Sequence, residues 1–319
     1  MRISEIGGEF ALIRRITDKE FGDSAVIKGV GDDCAVIDHT KDRYLLVTTD
    51  MMVENDHFNL EWQSPFQVGM KLTEANVSDI LAMGGTPKYA FVSLSLKKET
   101  EVDFVEALYR GLKTSAERHG VVILGGDTTH GSEYTLNMAL LGEVDKSMLR
   151  LRSMAQPDDL ICVTGTLGGS DAGLKLLRSG KPGSTSKHLE PRCRSENEAR
   201  AIAEYAHAMI DVSDGLASEV SHICEESCLG AEVYYEKIPI SESTIEAGRR
   251  LSIEPQDFAL YGGEDFELVF TIPEANLGSL RKRFSDFTVV GKMLPEKQGI
   301  YLLKGKERLR MMRGYDHFA

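Results

Sequence analysis

Cysteine is scarce in this chain and follows no pattern. The five residues, Cys34, Cys162, Cys193, Cys224 and Cys228, are an odd number without a C-x-x-C pair, which speaks against a disulfide framework and a zinc ribbon. They read as reduced thiols. No apolar run approaches the roughly 20 residues a membrane-spanning helix needs, and residues 1–15 lack an apolar core of signal-peptide length, so no membrane partner and a cytoplasmic location are expected. Basic residues are outnumbered, 37 to 50, giving a net charge of −13. Nucleic acid is therefore not an expected partner, because binding its backbone depends on clustered Lys and Arg that release counterions. Also missing are G-x-x-x-x-G-K-[ST], G-x-G-x-x-G and G-x-S-x-G, which sets aside Walker-type NTPases, Rossmann folds, protein kinases and the hydrolase nucleophile elbow.

What is present describes an ordinary globular chain. With 319 residues, 42% hydrophobic and 27% charged, it is long enough for two domains and a sizeable core. β-like and α-like segments alternate. Residues 44–49 read as a strand closed by Asp50, and a helix follows Ser64-Pro65, with Ser64 as N-cap and Pro65 at its first position, running to Gly84-Gly85. Residues 89–96 alternate as a half-buried strand does, 100–119 read as a helix stopped by Gly120, and 121–124 as a short buried strand emptying into Gly125-Gly126-Asp127. A long strand over 134–144 follows. The apolar pattern lapses near 145–155, which places a junction between expected domains 1–147 and 148–319. The second half restarts with a strand at 160–164 and a glycine loop at 165–169. Both halves are expected to be α/β, of the α+β type.

Aspartate recurs where packing does not require it: Asp32-Asp33 after Gly31, Asp50 after Thr48-Thr49, Asp79, Asp127 after Gly125-Gly126, and Asp211 with Asp214. Asp beside Gly is ordinarily turn chemistry. Asp79 differs, since steps of three and four from Val68 through Leu72 and Ala75 reach it, putting it on an apolar stripe of the expected helix. A core-facing carboxylate is costly unless paired or metal-bound. The competing stripe of Val77, Ile80 and Leu81 would instead turn Asp79 to solvent. Hard oxygen donors on strand ends and loops suit Mg²⁺, which can stand between carboxylates and the phosphates of a nucleotide. The eight histidines show no H-E-x-x-H spacing, so zinc fits these aspartates less well. Gly29, Gly31, Gly125 and Gly126 allow close backbone approach to an anion. The 165–169 loop fits either a phosphate-binding helix N-terminus or a plain strand-to-helix turn.

In their order, GEFALI (8–13), VGDDCAVI (30–37), TTDMMVENDHF (48–58), NVSDILAMGG (76–85), GGDTTHG (125–131), VTGTLGGSDAGL (163–174), IDVSDGL (210–216), YGGEDFEL (261–268) and GYDHF (314–318) resemble the motifs of the thiamine-monophosphate kinase family. That family shares a superfamily with aminoimidazole ribonucleotide synthetase and selenophosphate synthetase. The resemblance implies a two-domain fold of the aminoimidazole ribonucleotide synthetase type, a homodimer, and ATP held through several Mg²⁺ ions in a cleft between domains. It implies a magnesium shell of Asp33, Thr48, Thr49, Asp50, Asp79, Asp127, Asp211 and Asp214, with Asp127 and Asp50 most critical and no dedicated catalytic side chain. Gly126, Asp127, Arg152 and Ser213 would contact ATP, and His57, Glu264 and Tyr315 would contact thiamine monophosphate. The sequence departs from the family at Thr48, where serine is common, at His130, where arginine often follows GGDTT, and at Tyr315, where some members have tryptophan. A synthetase of the same superfamily and a non-catalytic nucleotide-binding module are the alternatives.

Overall fold

The computed structural model describes residues 2–6, 8–17, 22–312 and 314. The first half runs through helix α1 (Glu9–Ile16), strands β1 (Val26–Lys28), β2 (Ala35–Asp38) and β3 (Arg43–Val53), helix α2 (Pro65–Ala82), strand β4 (Thr86–Leu96), helix α3 (Val102–Arg118), and strands β5 (Val122–His130) and β6 (Thr135–Asp145). The second half comprises β7 (Leu160–Thr164), α4 (Gly169–Ser179), α5 (Ser186–Leu189), α6 (Glu196–Ala203), β8 (Ala208–Asp211), α7 (Leu216–Ser227) and β9 (Leu229–Tyr234), then α8 (Glu242–Leu251), α9 (Pro255–Tyr261), β10 (Leu268–Ile272), α10 (Glu274–Arg283), β11 (Phe287–Pro295), β12 (Ile300–Lys304) and β13 (Glu307–Arg310). Each half builds one sheet, ordered β1-β2-β3-β6-β4-β5 and β13-β12-β9-β11-β7-β10-β8.

Strict alternation makes β6 a half-buried strand. Leu136, Met138, Leu140 and Val144 point into the core while the residues between them are partly exposed. In the second sheet β7 and β10 are interior strands and β8 is the edge strand against which α2 packs, and the apolar runs of all three are buried. Helix α2 begins with a capping box, in which the Ser64 hydroxyl accepts from Gln67 N–H and the Gln67 side chain returns to the Ser64 N–H. It packs against β3, β4, β6 and α3 on one side and β8 on the other, so it is wedged between the two sheets. Glycines let α2 and α3 touch backbone to backbone, since a Cβ at Gly111 would fall 1.9 Å from Phe66 O. The largest core cluster joins the halves, with Leu46, Leu72 and Ile80 from one and Cys162, Met209 and Phe270 from the other.

Two expectations need correction. The strand at 44–49 does not close at Asp50 but continues to Val53, because β6 offers partners throughout, with Asp50 opposite Met138 and Met51 opposite Asn137. The stretch at 121–124 is not a short buried strand. β5 extends through Gly125-Gly126-Asp127 to His130 and forms the sheet's edge, paired to β4 alone among the described residues, with Val122 and Leu124 exposed.

Candidate active site

Three elements bring carboxylates together where the sheets meet α2. Asp33 sits on the turn before β2, Asp79 near the end of α2 and Asp211 at the end of β8, with their oxygens within 4.8 Å of one another. Thr48 on β3 donates its hydroxyl to Asp79 Oδ2 at 2.5 Å, and Ser78 donates to Asp211 Oδ2 at 2.6 Å. Asp50 stands on the same face of β3 as Thr48, its backbone N–H bonded to Asn76 Oδ1 of α2 at 3.2 Å. Asp214 lies just before α7, its N–H donating to Glu219 Oε1 at 2.8 Å. Arg152 reaches in from the junction, pairing Nη2 with Asp33 and giving its backbone N–H to Asp32 Oδ2.

So many carboxylates in so little water cannot all carry charge unaided. Burial, and then repulsion from Asp33, pushes the Asp32 carboxyl up to about 7. Burial, then Asp33 and Asp214, pushes Asp50 up to about 6. Asp79, Asp211 and Glu219 are driven well above the ordinary carboxylate range, burial being the largest cause of each. Asp33 Oδ2 and Asp50 Oδ2 are buried with no hydrogen-bond partner among the described residues. An all-oxygen donor set with orphaned lone pairs and mutual repulsion fits hard divalent cations and little else.

The cluster opens onto a cavity of ≈ 870 Å³. Asp50, Ser213 and Asp214 line one part of it, and His57, Lys71 and Glu264 another. Lys71 is buried on α2, bonding His57 O at 2.8 Å and Glu264 Oε1 at 2.5 Å. Glu264 adopts a left-handed backbone, φ 63°, and its other oxygen lies 3.5 Å from His188 Nδ1. Burial, then the Lys71 charge, pushes His188 down to about 4, leaving a neutral imidazole beside this pair. Trp62, Phe58 and Tyr261 add aromatic surface to the lining.

Asp50, Ser213 and Asp214 thus line the carboxylate end, with Asp33, Thr48, Asp79, Asp211 and Arg152 in the buried cluster next to them, and His57 and Glu264 stand together farther along the cavity. Asp127 and Gly126 do not join them. Asp127 is exposed on β5 and accepts from the Thr128 N–H, three strand steps from Met51 by way of Asn137 and Ser93, or roughly 14 Å at about 4.8 Å per step. Thr49 alternates to the opposite face of β3 from Thr48, where its hydroxyl accepts from Asn137. Tyr315 lies outside the described residues, although Gly314 N–H bonds Ser218 Oγ at 3.0 Å beside Asp214. The glycine loop is a strand-to-helix turn, because the Gly168 and Ser170 amides at the start of α4 are taken by the buried Asp265 carboxylate. Glu219, Lys71 and His188 were not singled out by sequence, and Asp32, noted with Asp33 among the recurring aspartates, was given no role. Glu219 had a signal, standing five residues after Asp214 at the start of an apolar helix, whereas Lys71 and His188 had none.

The AIR synthase related protein N-terminal domain profile matches residues 31–144 and its C-terminal domain profile matches 156–303. The chain therefore belongs to the AIR synthase related proteins, with their two mixed α/β domains. It is 37% identical to the thiamine-monophosphate kinase of Haemophilus influenzae over 98% of each chain. It is 34% identical to that of Bacillus subtilis over 97% of this chain and 99% of that one. The structure of AaThiL complexed with AMPPCP and TMP superposes with a TM-score of 0.85 at 32% identity, covering 100% of this chain and 99% of that one. Within the class, the chain is a member of the thiamine-monophosphate kinase family.

Proposed function

We propose that this chain transfers the γ-phosphoryl group of ATP to thiamine monophosphate, giving ADP and thiamine diphosphate. The observation that carries the reading is the joining of a buried carboxylate cluster and the Lys71–Glu264–His57 group by one cavity. The ATP analogue and TMP bound by the structural relative supply the ligands that such a cavity would hold.

Asp33, Thr48, Asp50, Asp79, Asp211 and Asp214 would hold Mg²⁺, and the orphaned oxygens of Asp33 and Asp50 support that assignment, whereas Thr49, turned to Asn137 on the other face of β3, is not among them. Mg²⁺ held by these residues would offset the charge of the phosphates during transfer. Arg152 stays protonated and offsets Asp32 and Asp33. Ser213 and Arg152 are assigned to the nucleotide, His57, Glu264 and Tyr315 to thiamine monophosphate, with Lys71 holding Glu264 in place. In the reaction an acceptor phosphate oxygen forms the new P–O bond as the β,γ-bridging P–O bond breaks, its electron pair leaving with ADP. The attacking phosphate is already ionised near neutral pH, so the chain needs to orient it rather than deprotonate it.

We assign the two domains to 1–147 and 148–319 and the working state to a homodimer. The support for a dimer is the edge of β5, unpaired among the described residues, where exposed Val122 and Leu124 neighbour exposed Tyr89 and Phe91 of β4. Gly126 and Asp127 lie on that same edge, so in this reading they meet ATP where a second copy adjoins. No helix among the described residues is long and apolar enough to cross a membrane, in keeping with a cytoplasmic enzyme. Incubation with ATP, Mg²⁺ and thiamine monophosphate should yield thiamine diphosphate and ADP in equal amounts. ATP turnover without thiamine diphosphate, or none with this acceptor, would overturn the assignment.

A further inference from the structure

Glu74, one turn before Ser78 on α2, is a buried carboxylate outside the cleft lining. Its two oxygens have different surroundings. Oε1 is held by the Ser115 hydroxyl at 2.6 Å and by the Arg118 guanidinium at 2.5 Å, both from α3, and also lies 3.4 Å from His119 Nε2. Oε2 accepts the Cys193 N–H at 2.9 Å and also lies 3.1 Å from Cys193 Sγ and 3.3 Å from His119 Nε2. Sγ and Nε2 are 3.7 Å apart. Three donor groups thus crowd one oxygen that has two lone pairs.

We propose that Glu74 Oε2, His119 Nε2 and Cys193 Sγ form a binding site for one zinc-type transition-metal dication, separate from the oxygen-lined site in the cleft. The argument is geometric. Zn–S near 2.3 Å with Zn–N and Zn–O near 2.0–2.2 Å puts neighbouring tetrahedral ligands about 3.4–3.6 Å apart. The three separations in the protein, 3.1, 3.3 and 3.7 Å, are close to those of one tetrahedral face. A cation at that face relieves the crowding, because thiolate and imidazole would then bind the metal instead of competing for Oε2. Thiolate plus imidazole selects against Mg²⁺ and Ca²⁺. Ser115 and Arg118 on Oε1 are the hydrogen-bonding partners that a ligating carboxylate ordinarily keeps, and they aim Oε2 at the other two donors. Burial, then the Glu74 charge, keeps the Cys193 thiol protonated without metal, so binding should release its proton. The ligands come from α2, the end of α3 and the coil before α6, so the ion would clamp the first half of the chain to the second.

The test uses the full chain, stripped with chelator and titrated with Co²⁺ as a spectroscopic probe and with Zn²⁺. We expect one tight equivalent per chain with a thiolate-to-cobalt charge-transfer band, kept in Asp79→Asn and lost in Cys193→Ser, and zinc affinity at least tenfold weaker in His119→Gln. The histidine variant keeps the test decisive if the cysteine variant fails to fold. Absence of the band in the wild-type chain, or its persistence in Cys193→Ser, would overturn the site and leave a hydrogen-bonded triad. Phosphoryl transfer with Mg²⁺, followed in parallel, separates that result from failure of the kinase reading.

Discussion

Lys71 Nζ and Glu264 Oε1 meet at 2.5 Å across the two halves of the chain, the lysine side chain 2% exposed and the glutamate 29%. The pair braces the part of the cavity assigned to the acceptor, since Lys71 also bonds the His57 carbonyl. Lys71→Met should therefore raise the KM for thiamine monophosphate by at least tenfold and leave the KM for ATP nearly unchanged. It should also cost about 1–3 kcal/mol in urea unfolding, less than a fully buried pair because Glu264 keeps access to water. An unmoved acceptor KM would remove this pair from substrate positioning.

Asp79→Asn keeps shape and removes charge from a group pressed by burial, Asp50, Asp211 and Asp33. In metal-free buffer the variant should melt higher, by roughly 1–2 °C for each kcal/mol of repulsion relieved. With Mg²⁺ and both substrates it should lose nearly all turnover. A lower metal-free melting temperature would contradict the crowding.

The pH dependence of the metal-free protein follows from Asp32 and Asp50, raised to about 7 and about 6 from 3.8. Between roughly pH 4 and 7 these two carboxyls keep protons in the folded state that the unfolded chain has lost, so their contribution to stability falls as pH rises. Asp79, Asp211 and Glu219, also raised, act in the same sense and continue the fall, while His188, lowered from 6.5 to about 4, opposes it between those values. Saturating Mg²⁺ should flatten the decline, because the cations favour the ionised carboxylates. Urea midpoints measured from pH 5 to 8 with and without Mg²⁺ would show both effects. Metal-free stability that rises with pH would refute the assignment.

Leu124→Glu places charge on the exposed β5 edge without touching the buried core. Sedimentation should show a dimer for the parent chain and a monomer for the variant, with thermal stability otherwise near normal. Turnover should drop along with the dimer, since Asp127 shares that strand. A variant that stays dimeric would move the interface elsewhere.

Local rules were enough to read α2. Ser64 and Pro65 mark its start, and the step from Val68 through Leu72 to Asp79 locates the carboxylate. The sequence offered two stripes as alternatives, yet Val68 and Leu72 are as buried as Val77, Ile80 and Leu81, because a helix between two sheets has little solvent side. β5 was misread because Val121 to Leu124 look the same on an edge as in a sheet interior. Which strand is outermost depends on pairing order, and local sequence carries no record of that. Lys71 was invisible for a related reason, since its partner stands nearly two hundred positions away and lysine on a helix is ordinarily solvated.

Helix α2 carries Lys71 at one level and Asp79 eight residues later, about 12 Å along a rigid axis at roughly 1.5 Å per residue. The helix is thus a measuring stick, setting the separation between the group that positions the acceptor and the carboxylates assigned to the transferring phosphoryl. One residue inserted between these positions would lengthen it by only about 1.5 Å but turn one end against the other by roughly 100°. Side-chain size can drift around this cavity, while the number of residues between Lys71 and Asp79 cannot.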